Sequence, residues 1–404
     1  MSRNIFILLF LLSMFCGVAE AQQNTIRFLL PEYAGYDYVF VLERGAKRDT
    51  VADGTSDAQG RMTVAIPAEY SNYRGVGKLL FPGDKRVLVN MIVNNERDVS
   101  LTTPPKISGL DSLVYSNSPE NEAINRYTTG QARLFERYMQ ANSQKEKQDI
   151  EAEYTALNTE IARSPLYAAR IMEIIRYLTA SGSSFVIIPE KLQEEQKRFI
   201  AEQLNINDLY TSGFWTTFFQ VWYENNLNSE DSLLVSQSRA MLNRTQDPIL
   251  NRELTQTLIN SFSRYGREDL MPQIIANVNI PLKGQAAPEL AVGDSSFFPK
   301  RSLILFYETG CGNCHYELEE LKKNYSRLTE NKIRVISIAA DVATDVFEYT
   351  AGKLPWMDKY CDFRGFDGLN FINYGIVGTP TYILTDDEGF VRGRYARLNE
   401  LLNY

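Results

Sequence analysis

The sequence predicts a multidomain chain: an N-terminal all-β sandwich, a central all-α region and a C-terminal α/β domain. Three observations carry this reading. Apolar residues alternate with period two from Thr25 to about Thr103, and after Pro104-Pro105 they recur at three- and four-residue spacing. Beyond Val278 a continuous apolar strand runs into a helix and a second strand. The expected division is a leader at 1–21, then domains at 22–105, 106–277 and 278–404. A chain of 404 residues has room for two or three domains at roughly 150 residues each, and each is large enough to bury its own core.

Composition narrows the function. With 42 basic and 50 acidic side chains the net charge is −8, and 44% hydrophobic and 23% charged content is ordinary for a globular protein. That mixture excludes collagen and a disordered chain. No Lys/Arg block is present to attract a phosphate backbone or an anionic lipid surface, so no nucleic-acid partner is expected. Small molecules and protein surfaces remain.

The N-terminus reads as an export signal. Arg3 precedes the apolar run Ile5 to Leu12, which continues to Phe15 and ends at Ala19-Glu20-Ala21, a small-x-small cleavage pattern before Gln22. A membrane-spanning helix needs about 18 or more apolar residues, and this run is shorter. Cys16 is preceded by Phe15 rather than a small residue, which speaks against lipid attachment. The expectation is therefore a cleaved, exported protein in the periplasm or another extracytoplasmic space, with no stable membrane insertion after cleavage. Cleavage leaves Cys311, Cys314 and Cys361. Three cysteines clustered late in the chain are no disulfide scaffold, and the C-x-x-C spacing is either a redox pair or an attachment point for metal or haem.

In the β region the expected strands are Ile26–Leu30, Tyr38–Leu42, Met62–Ile66, Gly77–Phe81 and Val87–Val93, separated by turns such as Asp57-Ala58-Gln59-Gly60 and Pro82-Gly83-Asp84. No acid, histidine or cysteine clusters there, so its reading is a docking or scaffold module. The central region predicts four to six helices between about 119 and 276, with Pro119, Pro165, Pro189 and Pro248 as starts or breaks. Phe214, Phe218 and Trp222 share one helical face with Trp215 and Phe219 beside them, which makes this segment a core helix or an aromatic patch for a client.

The C-terminal region carries the chemistry. The strand Ser302–Tyr307 runs into Glu308-Thr309-Gly310-Cys311-Gly312-Asn313-Cys314-His315. A helix follows, with Leu318, Leu321, Tyr325 and Leu328 on one face, and then the strand Ile333–Ile338. A thiol attacks only as thiolate, and an ordinary cysteine is mostly protonated at neutral pH. Cys311 falls at a helix N-terminus, where unpaired N–H groups and the helix dipole favour a negative sulfur. Cys314, one turn further on, is placed to resolve a mixed disulfide on Cys311.

Downstream come Gly378-Thr379-Pro380-Thr381, the strand Tyr382-Ile383-Leu384, the turn Asp386-Asp387-Glu388-Gly389 and the strand Phe390-Val391-Arg392. From about residue 280 to the end, this order resembles the thioredoxin superfamily. Gly284-Gln285-Ala286-Ala287-Pro288 is similar to the lead-in of its extracytoplasmic TlpA-like thiol-disulfide oxidoreductases. The resemblance implies a thioredoxin-like fold for 278–404, Cys311 and Cys314 as catalytic residues, and a cis Pro380 that shapes the client site with Thr379. It also implies clients that are proteins with disulfides, reduced at the expense of a membrane-embedded electron donor. Gly310 stands where the family usually has Trp, and Leu305 where thioredoxin keeps a buried carboxylate. Glu308 and His315 are candidate modulators, Glu308 as a substitute proton acceptor and His315 as a stabiliser of the thiolate or a solvated side chain. No metal or other cofactor is expected; Cys-x-x-Cys-His also spells a c-type haem attachment, and a non-catalytic binding protein on a thioredoxin platform is the other alternative.

Overall fold

A computed structural model describes residues 24–82, 87–107, 109, 112–186, 188–275 and 281–402. The leader expected at 1–21, part of the Pro82-Gly83-Asp84 turn and the boundary at Val278 lie outside those residues. The chain divides into two compact units. One holds the described residues up to Glu43 with Arg48–Met172, and the other holds Arg44–Lys47 with the residues from Glu173 onward.

The first unit contains eight strands, β1 (Thr25–Leu29), β2 (Asp37–Arg44), β3 (Lys47–Thr55), β4 (Arg61–Ala65), β5 (Arg74–Leu80), β6 (Val87–Asn94), β7 (Val99–Thr102) and β8 (Val114–Ser116). They form two four-stranded sheets, ordered β4-β1-β7-β8 and β3-β2-β5-β6. Phe28, Met62 and Leu101 from one sheet and Phe40, Leu79 and Met91 from the other share one core. The sequence reading lacks β7, β8 and, most plainly, β3. Its residues alternate between exposed and half-buried with no buried position, so this sheet-edge strand has no apolar alternation to betray it.

Helices α1 (Pro119–Gln140) and α2 (Gln144–Arg163) follow in the same unit, and α3 (Tyr167–Leu178) spans its end. Each of the first two starts on a serine cap: Ser118 Oγ accepts from Asn121 N–H at 3.3 Å, and Ser143 Oγ accepts from Glu146 N–H at 3.1 Å. Glu146 returns the contact by accepting Asn142 N–H at 3.1 Å. Across the expected boundary at 105, α1 is stitched to β6. The Ile92 N–H and carbonyl both bond the Asn121 amide at 2.7 Å, and Glu120 accepts from Tyr167 and Ala168 N–H at 3.1 and 2.8 Å.

In the second unit come α4 (Pro189–Arg198), α5 (Ile206–Tyr210), α6 (Trp215–Asn225), α7 (Asp231–Leu242), α8 (Pro248–Arg264) and α9 (Met271–Ile274). Nine α-helices thus lie between 119 and 276 among the described residues, more than the expected four to six. Short segments such as α5 and α9 show too little periodicity to be read. Trp215, Phe218, Phe219, Trp222 and Tyr223 of α6 are all buried, so the aromatic segment is core and not an exposed patch. Trp215 Nε1 donates to Thr257 Oγ1 at 2.9 Å and Trp222 Nε1 to Gln237 Oε1 at 2.7 Å, which satisfies both indoles.

The rest is a helix-flanked sheet. After the hairpin β9 (Leu290–Val292) and β10 (Ser295–Phe297) come β11 (Ser302–Tyr307), α10 (Gly312–Glu330), β12 (Arg334–Ala339), α11 (Thr344–Ala351), β13 (Asp358–Cys361), α12 (Leu369–Asn373), β14 (Thr381–Thr385), β15 (Val391–Tyr395) and α13 (Leu398–Leu402). The order is β13-β12-β11-β14-β15. β12 is parallel to β11 and β13, while β14 runs antiparallel to β11 and β15. All six residues of β11 are buried, as a central strand covered on both faces requires. One face packs Leu305, Leu318, Leu321 and Tyr382, the other Ile304, Phe306, Phe371 and Tyr374. The turn between β14 and β15 is closed by Asp386, whose Oδ1 accepts from Phe390 N–H at 2.8 Å and Glu388 N–H at 3.2 Å. This region has a thioredoxin-like fold.

Candidate active site

The central strand β11 delivers the loop 308–310, and α10 begins directly after it. Cys311 is the cap residue of α10, and its Sγ accepts from Cys314 N–H at 3.4 Å. Two contacts fix the approach: Thr309 N–H and Oγ1–H donate to the buried Asp341 carboxylate at 3.0 and 2.6 Å. Cys311 N–H then donates to the Glu308 carbonyl at 3.1 Å. Both cysteines are free thiols and buried, Cys311 at 5% and Cys314 at 0% exposure.

Their acidities separate. The hydrogen bond from the Cys314 thiol is the largest influence on Cys311. Together with the Cys314 N–H and the Lys47 charge it outweighs burial and the opposing Glu308 charge, and lowers the Cys311 thiol to about 6. Cys314 moves the other way, pushed well up by burial and then by its negative neighbour. The two directions favour a thiolate on Cys311 and a thiol on Cys314, which is what a nucleophile and its resolver need.

Thr379 and Pro380 come to the same place. Their peptide bond is cis, and the Thr379 carbonyl oxygen lies 3.9 Å from Cys311 Sγ. Glu308 is half-buried and acts on Cys311 by disfavouring the thiolate; His315 is exposed to solvent on α10. Cys361 is half-buried at the end of β13 and donates to the Asp341 carbonyl at 3.2 Å. Haem attachment through Cys311 and Cys314 meets a steric objection, since the Cys314 sulfur is enclosed. Among the described residues no group of three or more His, Cys, Asp or Glu side chains could hold a metal ion, and no helix is long and apolar enough to cross a membrane.

Three further residues support the site without having been read from the sequence. Glu317, three positions past Cys314 on α10, is 4% exposed; it accepts from Leu398 N–H at 2.9 Å and from the Tyr382 hydroxyl at 3.3 Å, and burial raises its carboxyl pKa. An acid on the apolar face that also holds Leu318 and Leu321 is the signal that could have found it. Asp341 follows β12 directly and has no motif. Arg394 of β15 is buried and donates to the Tyr374 and Gly375 carbonyls at 2.9 and 2.8 Å, which fixes the stretch leading to Pro380.

A cleft of about 370 Å³ opens at Asn313, which lies between the two cysteines in the chain, and at Thr379 and Pro380. Asn313, Thr379 and Pro380 line one wall, and Lys47, Trp215, Glu253 and Gln256 the other. The two walls meet where Gln256 Nε2 donates to Thr381 Oγ1 at 3.3 Å. There Gly378 lies so close to α8 that a Cβ on it would sit 2.8 Å from Gln256 Cγ.

No protein-family model matches this chain. Over 103 residues it is 32% identical to nucleoredoxin of Bos taurus, covering 25% of this chain and 23% of that protein. Against nucleoredoxin of Danio rerio it is 31% identical over 103 residues, covering 25% and 24%. The chain thus spans about a quarter of the length of these curated relatives. Among solved structures, the thiol-disulfide oxidoreductase from Bacteroides fragilis NCTC 9343 is 23% identical over 30% of this chain and 96% of that one, with a TM-score of 0.27. A thioredoxin-like protein from Bacteroides caccae ATCC 43185 is 17% identical over 54% of this chain and 94% of that one, with a TM-score of 0.32. Proteins named thiol-disulfide oxidoreductases are thus among those this region resembles.

Proposed function

We propose that this protein is an exported, TlpA-like thiol-disulfide oxidoreductase that reduces disulfides of client proteins outside the cytoplasm, in the periplasm. What supports it most is the placement of Cys311 Sγ at the start of α10, where it accepts the Cys314 N–H at 3.4 Å, with that neighbour favouring a thiolate on Cys311 and burial favouring a protonated Cys314. The Cys311 thiolate attacks one client sulfur, the client S–S bond breaks, and the departing client thiolate takes up a proton. Cys314 then gives up its proton and attacks the Cys311 sulfur. The second client thiolate leaves, and the protein retains the Cys311–Cys314 disulfide, having supplied two electrons. Thr379 and Pro380 hold the client strand against Cys311. A membrane-embedded electron donor restores the dithiol. The leader 1–21 directs export, and the eight-stranded unit serves as a docking or scaffold module.

The test combines insulin reduction, with dithiothreitol as electron source, and a redox titration of the pair against glutathione. Catalysed reduction with a potential near about −270 mV is the expected result, whereas a value near about −120 mV overturns the reductive direction. Expression of the full chain in a Gram-negative host should yield a periplasmic product beginning at Gln22, and an uncleaved cytoplasmic product overturns export.

A further inference from the structure

We infer that Lys47, far upstream of the redox pair, is a positioning residue for the reaction: its ammonium, clamped by Glu253 in the wall of the cleft, holds the Cys311 sulfur in its charged form. This rests on the thiolate chemistry proposed above and adds a residue that no C-x-x-C motif contains.

Lys47 ends the short segment Arg44–Lys47, which belongs to the second unit. Gly45 adopts φ +58°, donates its N–H to the Tyr210 carbonyl at 2.6 Å, and lies so close to the Tyr210 ring that a Cβ would meet it at 2.7 Å. Backbone and glycine thus fix the turn, which leaves the Lys47 side chain free for another task. Its Nζ lies 2.9 Å from Glu253 Oε1 on α8, and both residues line the cleft that Asn313, Thr379 and Pro380 close from the other side. The lysine side chain is 37% exposed and the glutamate 25%, so water screens the charges only in part.

The electrostatics agree in both directions. Burial is the largest influence on Lys47 and opposes its charge, but Glu253, Cys311 and Glu308 together reverse it and favour the ammonium. Lys47 in turn is the cation that favours the Cys311 thiolate, against Glu308. The groups that act on Cys311 are Cys314 on its own helix, Glu308 on the loop before it, and Lys47, which lines the same cleft as Thr379, whose carbonyl oxygen lies 3.9 Å from the Cys311 sulfur. Further along the cleft lie Arg397 and the Arg264–Glu400 ion pair, whose nitrogen and oxygen are 2.7 Å apart.

Peptide-resolved iodoacetamide labelling of the reduced full chain, measured from pH 4.5 to 9, tests the assignment. Removing one charge across a partly hydrated cleft is expected to raise the Cys311 midpoint by about 0.5–1 pH unit in Lys47→Met. Lys47→Arg should restore the wild-type midpoint. Glu253→Gln, which frees the ammonium from its carboxylate, should lower it. A merely structural tie between the turn and α8 moves both variants the same way or not at all, so opposite shifts support the inference, and equal or absent shifts overturn it. If Lys47→Met does not fold, Lys47→Gln takes its place: a raised midpoint supports the inference, and an unmoved or lowered one overturns it. A wild-type protein without a lowered midpoint would instead sink the proposed function itself.

Discussion

The two walls of the cleft beside Cys311 are built by different means. On one wall the sulfur meets main-chain groups: the Cys314 N–H at the start of α10 and the Thr379 carbonyl at the cis peptide. On the other wall the groups are side chains, Lys47, Glu253 and Gln256, from segments far apart in the chain. Main-chain electrostatics come with the fold and tolerate substitution, whereas side-chain electrostatics can be retuned one residue at a time. The first wall thus makes the reaction possible and the second adjusts it.

The largest expected effect tests the first wall. Cys311→Ser should abolish insulin reduction, whereas Cys314→Ser should still attack once and stall as a mixed disulfide visible by mass spectrometry. Equal loss without the trapped species would remove the distinction between the thiols. The next effect is on pH. Labelling of wild-type Cys311 should follow a midpoint near 6 and fail as the pH falls through it, while Cys314 stays unlabelled across neutral pH. Because the folded-state value is depressed, its stabilisation is fully present above the unfolded thiol value and lost as pH falls through the folded one. The urea midpoint of the reduced protein should therefore rise, relative to Cys311→Ala, between pH 6 and 9.

A smaller effect tests the support under Pro380. Arg394→Met strands the Tyr374 and Gly375 carbonyls and should cost about 2 kcal/mol in urea unfolding. The smallest is on the side-chain wall: Trp215→Phe removes one donor to Thr257 and should cost about 1 kcal/mol while the Cys311 midpoint stays in place. A displaced midpoint would show that this wall acts through packing and not through the Lys47 charge.

How far the sequence disclosed the molecule follows the same division. The apolar run Leu303–Tyr307 of β11, the C-x-x-C at a strand-to-helix junction and Thr379-Pro380 ahead of β14 are local patterns whose physics acts within a few residues. The polar edge strand β3 offered no alternation, and Asn121, which ties α1 to the main chain of Ile92, resembles any other surface asparagine until its partner is known. Glu317, Arg394 and Lys47 owe their roles to contacts across 81, 20 and 206 positions. Such distances in the chain leave no periodic trace.

Gly378 gives the cleft a mechanical stop. With no side chain on Gly378, the main chain before Pro380 lies directly against the stem of Gln256, and an added Cβ would sit 2.8 Å from its Cγ. The absent methyl group works like the missing shim in a vice: replace it and the jaws must part. Alanine at this position should thus push Gln256 away and widen the cleft without altering either sulfur.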